Sequence, residues 1–304
     1  MEKKVIFLHP YFDYKIWGGN KLKEFGYLGS EIIGEALMIS TLNDKESTVI
    51  FGFFDGKKLS NVFENNKELF GNFNGPYPLL TKIIDANDDL SVQVHPDNDY
   101  AMKNFGKLGK TECWYILDCP PNSKLVYGSK EKDINKIKKY IDNNEWDKFL
   151  NYVDVKKGDV FYVPSGTIHA ITKGILTYEI QQSSDLTFRL FDYNRIEKDG
   201  NKRELHIKDS LKTIKVNDNL IVINGHDGLI IDSDIFKLDR YTIRDKKIIF
   251  NPNAYWLECL VIEGEGIVEG RLIKKGTAFI ITHNSKIEII GNVQVLVGYI
   301  ENPL

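Results

Sequence analysis

The chain has 304 residues, 42% of them hydrophobic and 27% charged, with a formal net charge of -3. That balance is ordinary for a globular protein and offers no electrostatic pull toward nucleic acid or an anionic membrane. No apolar run approaches the ~20 residues a membrane span needs, and the length suits one long β domain or two packed units with room for a deep pocket.

The apolar run near Val5 is too short for a signal peptide. Cys113, Cys119 and Cys259 lack zinc-ribbon spacing and suit reduced thiols. A cytoplasmic protein is expected.

Short runs rich in Ile, Val, Phe and Tyr then follow one another at residues 5–8, 47–53, 91–95, 111–117, 159–163 and 175–181, separated by turn residues. This pattern predicts a mainly β sandwich or barrel and not a βαβ fold. In the apolar stretch 78–84, Lys82 is out of place unless it is paired or faces a cavity, and the cavity is the preferred reading. A short helix is predicted from Asp97 to Gly106, burying Tyr100, Ala101 and Phe105. A longer helical insert near 131–150 carries Ile134, Ile137, Ile141, Trp146 and Phe149 at helical spacing, with a break around Asn143 and Asn144.

Residues 156–163 recur in pattern at 274–281, each a Gly turn feeding a strand, which implies two similar β units. Extended without gaps, that alignment sets Ile287 opposite His169, so the second unit is expected to be metal-free. The expected division is a domain of 1–220 and a domain of 229–304, with the connection over 217–228.

Three separated strands contribute to one candidate metal site. Gln93 and His95 are two apart and share a strand face, Glu112 opens another strand, and His169 follows a Pro-Ser-Gly turn. Two imidazoles, a carboxylate and an amide oxygen suit Zn²⁺ or a similar divalent ion with room left for substrate. Either histidine alone would more often be structural; the combination reverses that judgement. Lys110 shares the face of Glu112, against the alternative of a solvated turn lysine. Glu179 and Arg189, with these lysines, point to an anionic substrate, unless they pair with each other or with Asp185. Cys113 should be a small buried residue, and His9, His206, His226 and His283 surface or structural ones. The Gly-Lys-Thr at 109–111 has no Gly five residues before Gly109, so it is no phosphate-binding P-loop.

The motifs at these positions resemble the type I mannose-6-phosphate isomerases, in their shorter bacterial form. They are Leu-Leu-Thr-Lys at 79–82, Leu-Ser-Val-Gln-Val-His-Pro at 90–96 and Gly-Lys-Thr-Glu-Cys-Trp-Tyr at 109–115, then Tyr-Val-Pro-Ser-Gly-Thr-Ile-His at 162–169 and Gln-Gln-Ser-Ser-Asp-Leu-Thr-Phe-Arg at 181–189. Ile16-Trp17-Gly18-Gly19 is also similar; Leu37 stands where the family usually has Trp, and Phe51 where it often has Asn. The resemblance implies two cupin-type jelly-roll β barrels and one Zn²⁺ per chain, held by Gln93, His95, Glu112 and His169. It implies Arg189 as the catalytic arginine, with Lys82, Ser91, Lys110 and Glu179 at further active-site positions. The implied reaction interconverts mannose 6-phosphate and fructose 6-phosphate through a cis-enediolate, with Glu179 and Lys110 both open as the proton-transferring base, in a monomer or homodimer. Competing readings are a cupin isomerase of another sugar phosphate, a non-catalytic sugar-binding cupin and, last, an oxygenase.

Overall fold

The computed structural model describes residues 4–216 and 220–301. It is mainly β, with four short α-helices among the described residues: Leu59–Asn65, Asn98–Phe105, Ile134–Asp142 and Ile207–Thr213. The expected alternation of short strands with helical inserts is therefore what the chain adopts.

Two compact units result, and neither is continuous in sequence. One comprises Met1–Asp13, Asn20–Ile83 and Gly225–Leu304; the other comprises Tyr14–Gly19 and Ile84–Asn224. The second unit ends at Asn224, and residues 20–83 group with the C-terminal strands. The cause is long-range pairing: Val5–His9 lies antiparallel to Ala278–Ile281 on one side and to Thr48–Ile50 on the other. Local periodicity carries no signal of such partners. Of the expected connection, residues 217–219 lie outside the described residues, and Ile221–Asn224 is a strand paired with Asp159–Val163.

In the unit with the C-terminal strands, one antiparallel sheet runs Gly228–Asp232, Lys237–Ile249, Ile287–Glu301, Ala254–Val268, Ala278–Ile281, Val5–His9, Thr48–Ile50, with Arg271–Lys274 added to Ala254–Val268. Alternate residues of the long strands, such as Leu257, Cys259 and Val261 beside Val293, Val295 and Val297, bury together in its core. The repeat read from the sequence survives as the strands Asp159–Val163 and Ala278–Ile281, each entered through a glycine at positive φ, Gly158 and Gly276.

The other unit is built from two sets of antiparallel strands. Ile221–Asn224, Asp159–Val163, Glu112–Asp118 and Leu176–Gln182 pair in that order. Phe188–Phe191, Val92–Val94, His169–Ala170, Lys124–Ser129 and Leu150–Asp154 form the second set. Trp114, Ile116 and Phe161 of the first set meet Leu125 and Tyr127 of the second in one core. On the far face of the second set, Ile137 and Ile141 of the helix Ile134–Asp142 pack with Val92, Val126 and Leu150. The helix ends at Asn143, and Asn144 takes φ 57°, the break expected there. The helix Asn98–Phe105 also appears as expected, capped by the Asp97 side chain, which accepts from Tyr100 N, and closed by Gly106. Phe105 departs from expectation: it is 42% exposed, because the apolar face ends a turn earlier at Ala101.

Candidate metal centre and active site

Gln93 is the middle residue of Val92–Val94, flanked by two buried valines, and lies in register between His169 and Arg189. His95 follows directly. Glu112 opens the strand Glu112–Asp118. Strand alternation thus delivers side chains from both sheets to one point. The ligating atoms of His95, Glu112 and His169 all lie within 4.8 Å of one another, and each residue is 1% exposed. Glu112 Oε2 is 3.5 Å from His95 Nε2, and its Oε1 is 3.3 Å from His169 Nε2. The Gln93 amide nitrogen is 3.3 Å from His169 Nε2, so a half-turn of the amide aims its carbonyl oxygen at the same point.

Both imidazoles are oriented by backbone. His95 Nδ1 lies 2.9 Å from Leu186 O, and His169 Nδ1 lies 2.9 Å from Thr167 O. A carbonyl can only accept, so Nδ1 holds a proton, and in the neutral ring Nε2 keeps its lone pair, turned toward the carboxylate. Burial above all, with the nearby charge of Lys110 adding to it, pushes the His169 pKa down to about 4. Neutral imidazole nitrogens beside a buried carboxylate and an amide are a donor set that fits a divalent metal ion.

The loops before these residues are shaped to bring them in. At Gly109 a Cβ would sit 2.5 Å from the Asp97 carbonyl carbon, so glycine alone lets this segment pass the start of the helix. Lys110 N then donates to Pro96 O at 2.9 Å, and its Nζ reaches to 3.6 Å from Glu112 Oε2 with the residue only 6% exposed. Lys110 is thus a buried lysine beside Glu112 and not a solvated one. Gly166 N donates to His95 O at 2.8 Å, which ties the turn preceding His169 to the other histidine.

Glu179 is buried on Leu176–Gln182 and accepts from Trp114 Nε1 at 2.8 Å through Oε2. Arg189 stands opposite Gln93, and its buried Nε has no hydrogen-bond partner among the described residues. Burial, followed by the charge of Arg203, lowers its pKa from the usual guanidinium value. The Arg189 backbone is held from both sides by His206, whose Nδ1 accepts from Arg189 N and whose N donates to Arg189 O. Ser91 is buried, with Oγ 3.5 Å from Gln93 Oε1. Lys82 belongs to the other unit, where it is buried and pairs with Glu35 at 3.4 Å.

Sequence reasoning missed Trp114, His206 and the bracing of Asp192 by Arg203 and Arg195. A signal existed for the first: Lys110, Glu112 and Trp114 are each two residues apart and so share a face.

A family model described as phosphomannose isomerase type I, catalytic domain, matches residues 6–118. The mannose-6-phosphate isomerase ManA of Bacillus subtilis is 47% identical over 219 residues, 71% of this chain and 70% of that protein. The putative mannose-6-phosphate isomerase YvyI of the same organism is 38% identical over 297 residues, covering 92% of this chain and 94% of the other. The chain belongs to the type I phosphomannose isomerase family. The solved structure of a mannose 6-phosphate isomerase from Bacillus subtilis superposes with a TM-score of 0.91 at 36% identity, over 98% of this chain and 100% of that one. A putative mannosephosphate isomerase from Archaeoglobus fulgidus, 18% identical with a TM-score of 0.80 over 98% of both chains, shares the fold.

Proposed function

We propose that the chain is a zinc-dependent aldose-ketose isomerase that interconverts mannose 6-phosphate and fructose 6-phosphate through a cis-enediolate. The observation that carries this reading is the convergence of two backbone-oriented imidazoles on the buried Glu112 carboxylate, in a chain 47% identical to ManA of Bacillus subtilis. Gln93, His95, Glu112 and His169 would hold one Zn²⁺, which supplies Lewis-acid polarisation of the substrate's oxygens when bound.

The chain's own groups do the rest. Isomerisation moves a proton between C2 and C1 of the opened sugar. Lys110 Nζ, 3.6 Å from Glu112 Oε2, favours an electrostatic role, which leaves Glu179 as the base. Arg189 offers an unsatisfied buried Nε–H and steadies the negative charge of the enediolate. Ser91 contacts the substrate, and Lys82 is assigned to the phosphate by the chemistry of its ammonium. No helix among the described residues is long and apolar enough to cross a membrane. We place the enzyme in the cytoplasm, as a monomer or homodimer.

The test is a coupled assay on protein stripped of metal and reloaded with Zn²⁺, comparing mannose 6-phosphate with glucose 6-phosphate. Turnover of the first that disappears on stripping and returns on reloading is expected. Turnover of glucose 6-phosphate alone would mean a cupin isomerase of different specificity, and full activity without metal would end the zinc mechanism.

A further inference from the structure

Trp114 stands two residues from Glu112 and opposite Glu179 in the ladder between Glu112–Asp118 and Leu176–Gln182. It is completely buried. Its indole Nε1–H donates to Glu179 Oε2 at 2.8 Å, and its ring meets the His169 imidazole edge-on, with centroids 5.3 Å apart at 71°. One rigid side chain therefore touches both the residue that would move the proton and a residue that would hold the metal.

Filling volume is the ordinary task of a tryptophan in such a core, where Ile116, Tyr127, Phe161 and Val163 are neighbours. Phenylalanine could do most of that; it could not donate a hydrogen bond. A carboxylate turns freely about its last torsion, which is broad and two-fold, so a fixed donor on one oxygen decides where the other points. For a base that must reach a carbon-bound proton, that direction matters more than volume, since a small misplacement of a reacting group costs about 100-fold in rate.

We propose that Trp114 is a positioning residue for the isomerisation: its indole N–H fixes the Glu179 carboxylate for proton transfer while its ring packs against the His169 imidazole. This rests on Glu179 being the base.

The test is Trp114→Phe in the zinc-loaded protein, alone and combined with Glu179→Gln. Alone, it should lower kcat by about 10- to 100-fold, with KM and metal content per chain unchanged. Added to Glu179→Gln, it should lower kcat by less than about twofold further, because the group it orients is no longer a base. A wild-type kcat in Trp114→Phe while Glu179→Gln is inactive overturns the positioning role alone. An equal loss in both backgrounds also overturns it, since that marks a packing effect. Activity retained in Glu179→Gln overturns the base assignment and the proposal with it. Should Trp114→Phe fail to fold, the indole ¹H–¹⁵N resonances of the parent and of Glu179→Ala take its place. One indole proton should move upfield on loss of the carboxylate, and four unchanged indole signals would overturn the contact.

Discussion

Glu258 accepts a hydrogen bond from the Tyr77 hydroxyl at 2.6 Å through Oε1, and its Oε2 accepts from Thr81 Oγ1 at 2.7 Å, in a site where the glutamate is 1% exposed. Burial outweighs these two donors and raises its pKa from 4.5 to about 7. The folded chain therefore holds this proton more tightly than the unfolded chain does. Its contribution to stability is complete below about pH 4.5 and is lost as the pH climbs to about 7, at most ~3 kcal/mol in total. Glu258→Gln should flatten the dependence of Tm on pH across that window and raise Tm relative to the parent above it. Parallel Tm profiles for the two proteins would contradict the assignment.

Phe51 adopts φ 69° and ψ 156°, a region that is nearly glycine's alone, and its ring is half exposed beneath the Arg271 guanidinium. Relief of that strain exceeds the added chain entropy and the lost cation–π contact. Phe51→Gly should therefore stabilise the protein by about 0.5–1 kcal/mol, read from the urea midpoint at constant m-value. A lower midpoint would show that the ring contacts outweigh the backbone.

Ile137 is fully buried where the helix Ile134–Asp142 meets the outer face of the second sheet. Truncation to alanine should cost about 2–4 kcal/mol in urea unfolding while leaving metal content intact, because the helix touches the side of Val92–Val94 opposite Gln93. A loss below about 1 kcal/mol would mean the helix is a loosely held appendage.

Arg189→Ala should reduce kcat by about 100- to 1,000-fold without changing the metal bound per chain. Arg189→Lys should not recover it, since a single ammonium cannot reproduce the planar fork of donors. Loss of metal in either variant would move Arg189 from charge stabilisation to site assembly.

What could be read from the sequence follows the range of the physics involved. Alternation is local: Gln93 and Glu112 stand on the strands Val92–Val94 and Glu112–Asp118, with His95 and Lys110 just beyond the strand ends. Capping is local too, and Asp97, Gly106 and the break at Asn143 all emerge as read. Partners distant in the chain left no such mark. Lys82 pairs with Glu35, and the buried Glu258 with residues 181 and 177 positions away. The grouping of residues 20–83 with the C-terminal strands was hidden for the same reason.

That grouping dictates an order of assembly. Val5 pairs with Ile281 and Leu8 with Ala278, so one side of an early strand must wait for nearly the whole chain to be made. The strands bearing Gln93, Glu112 and His169 need nothing beyond Asn224 within their own unit. During synthesis the half that gathers the metal-ligating side chains can close first, while the first residues made remain the last to find their neighbours.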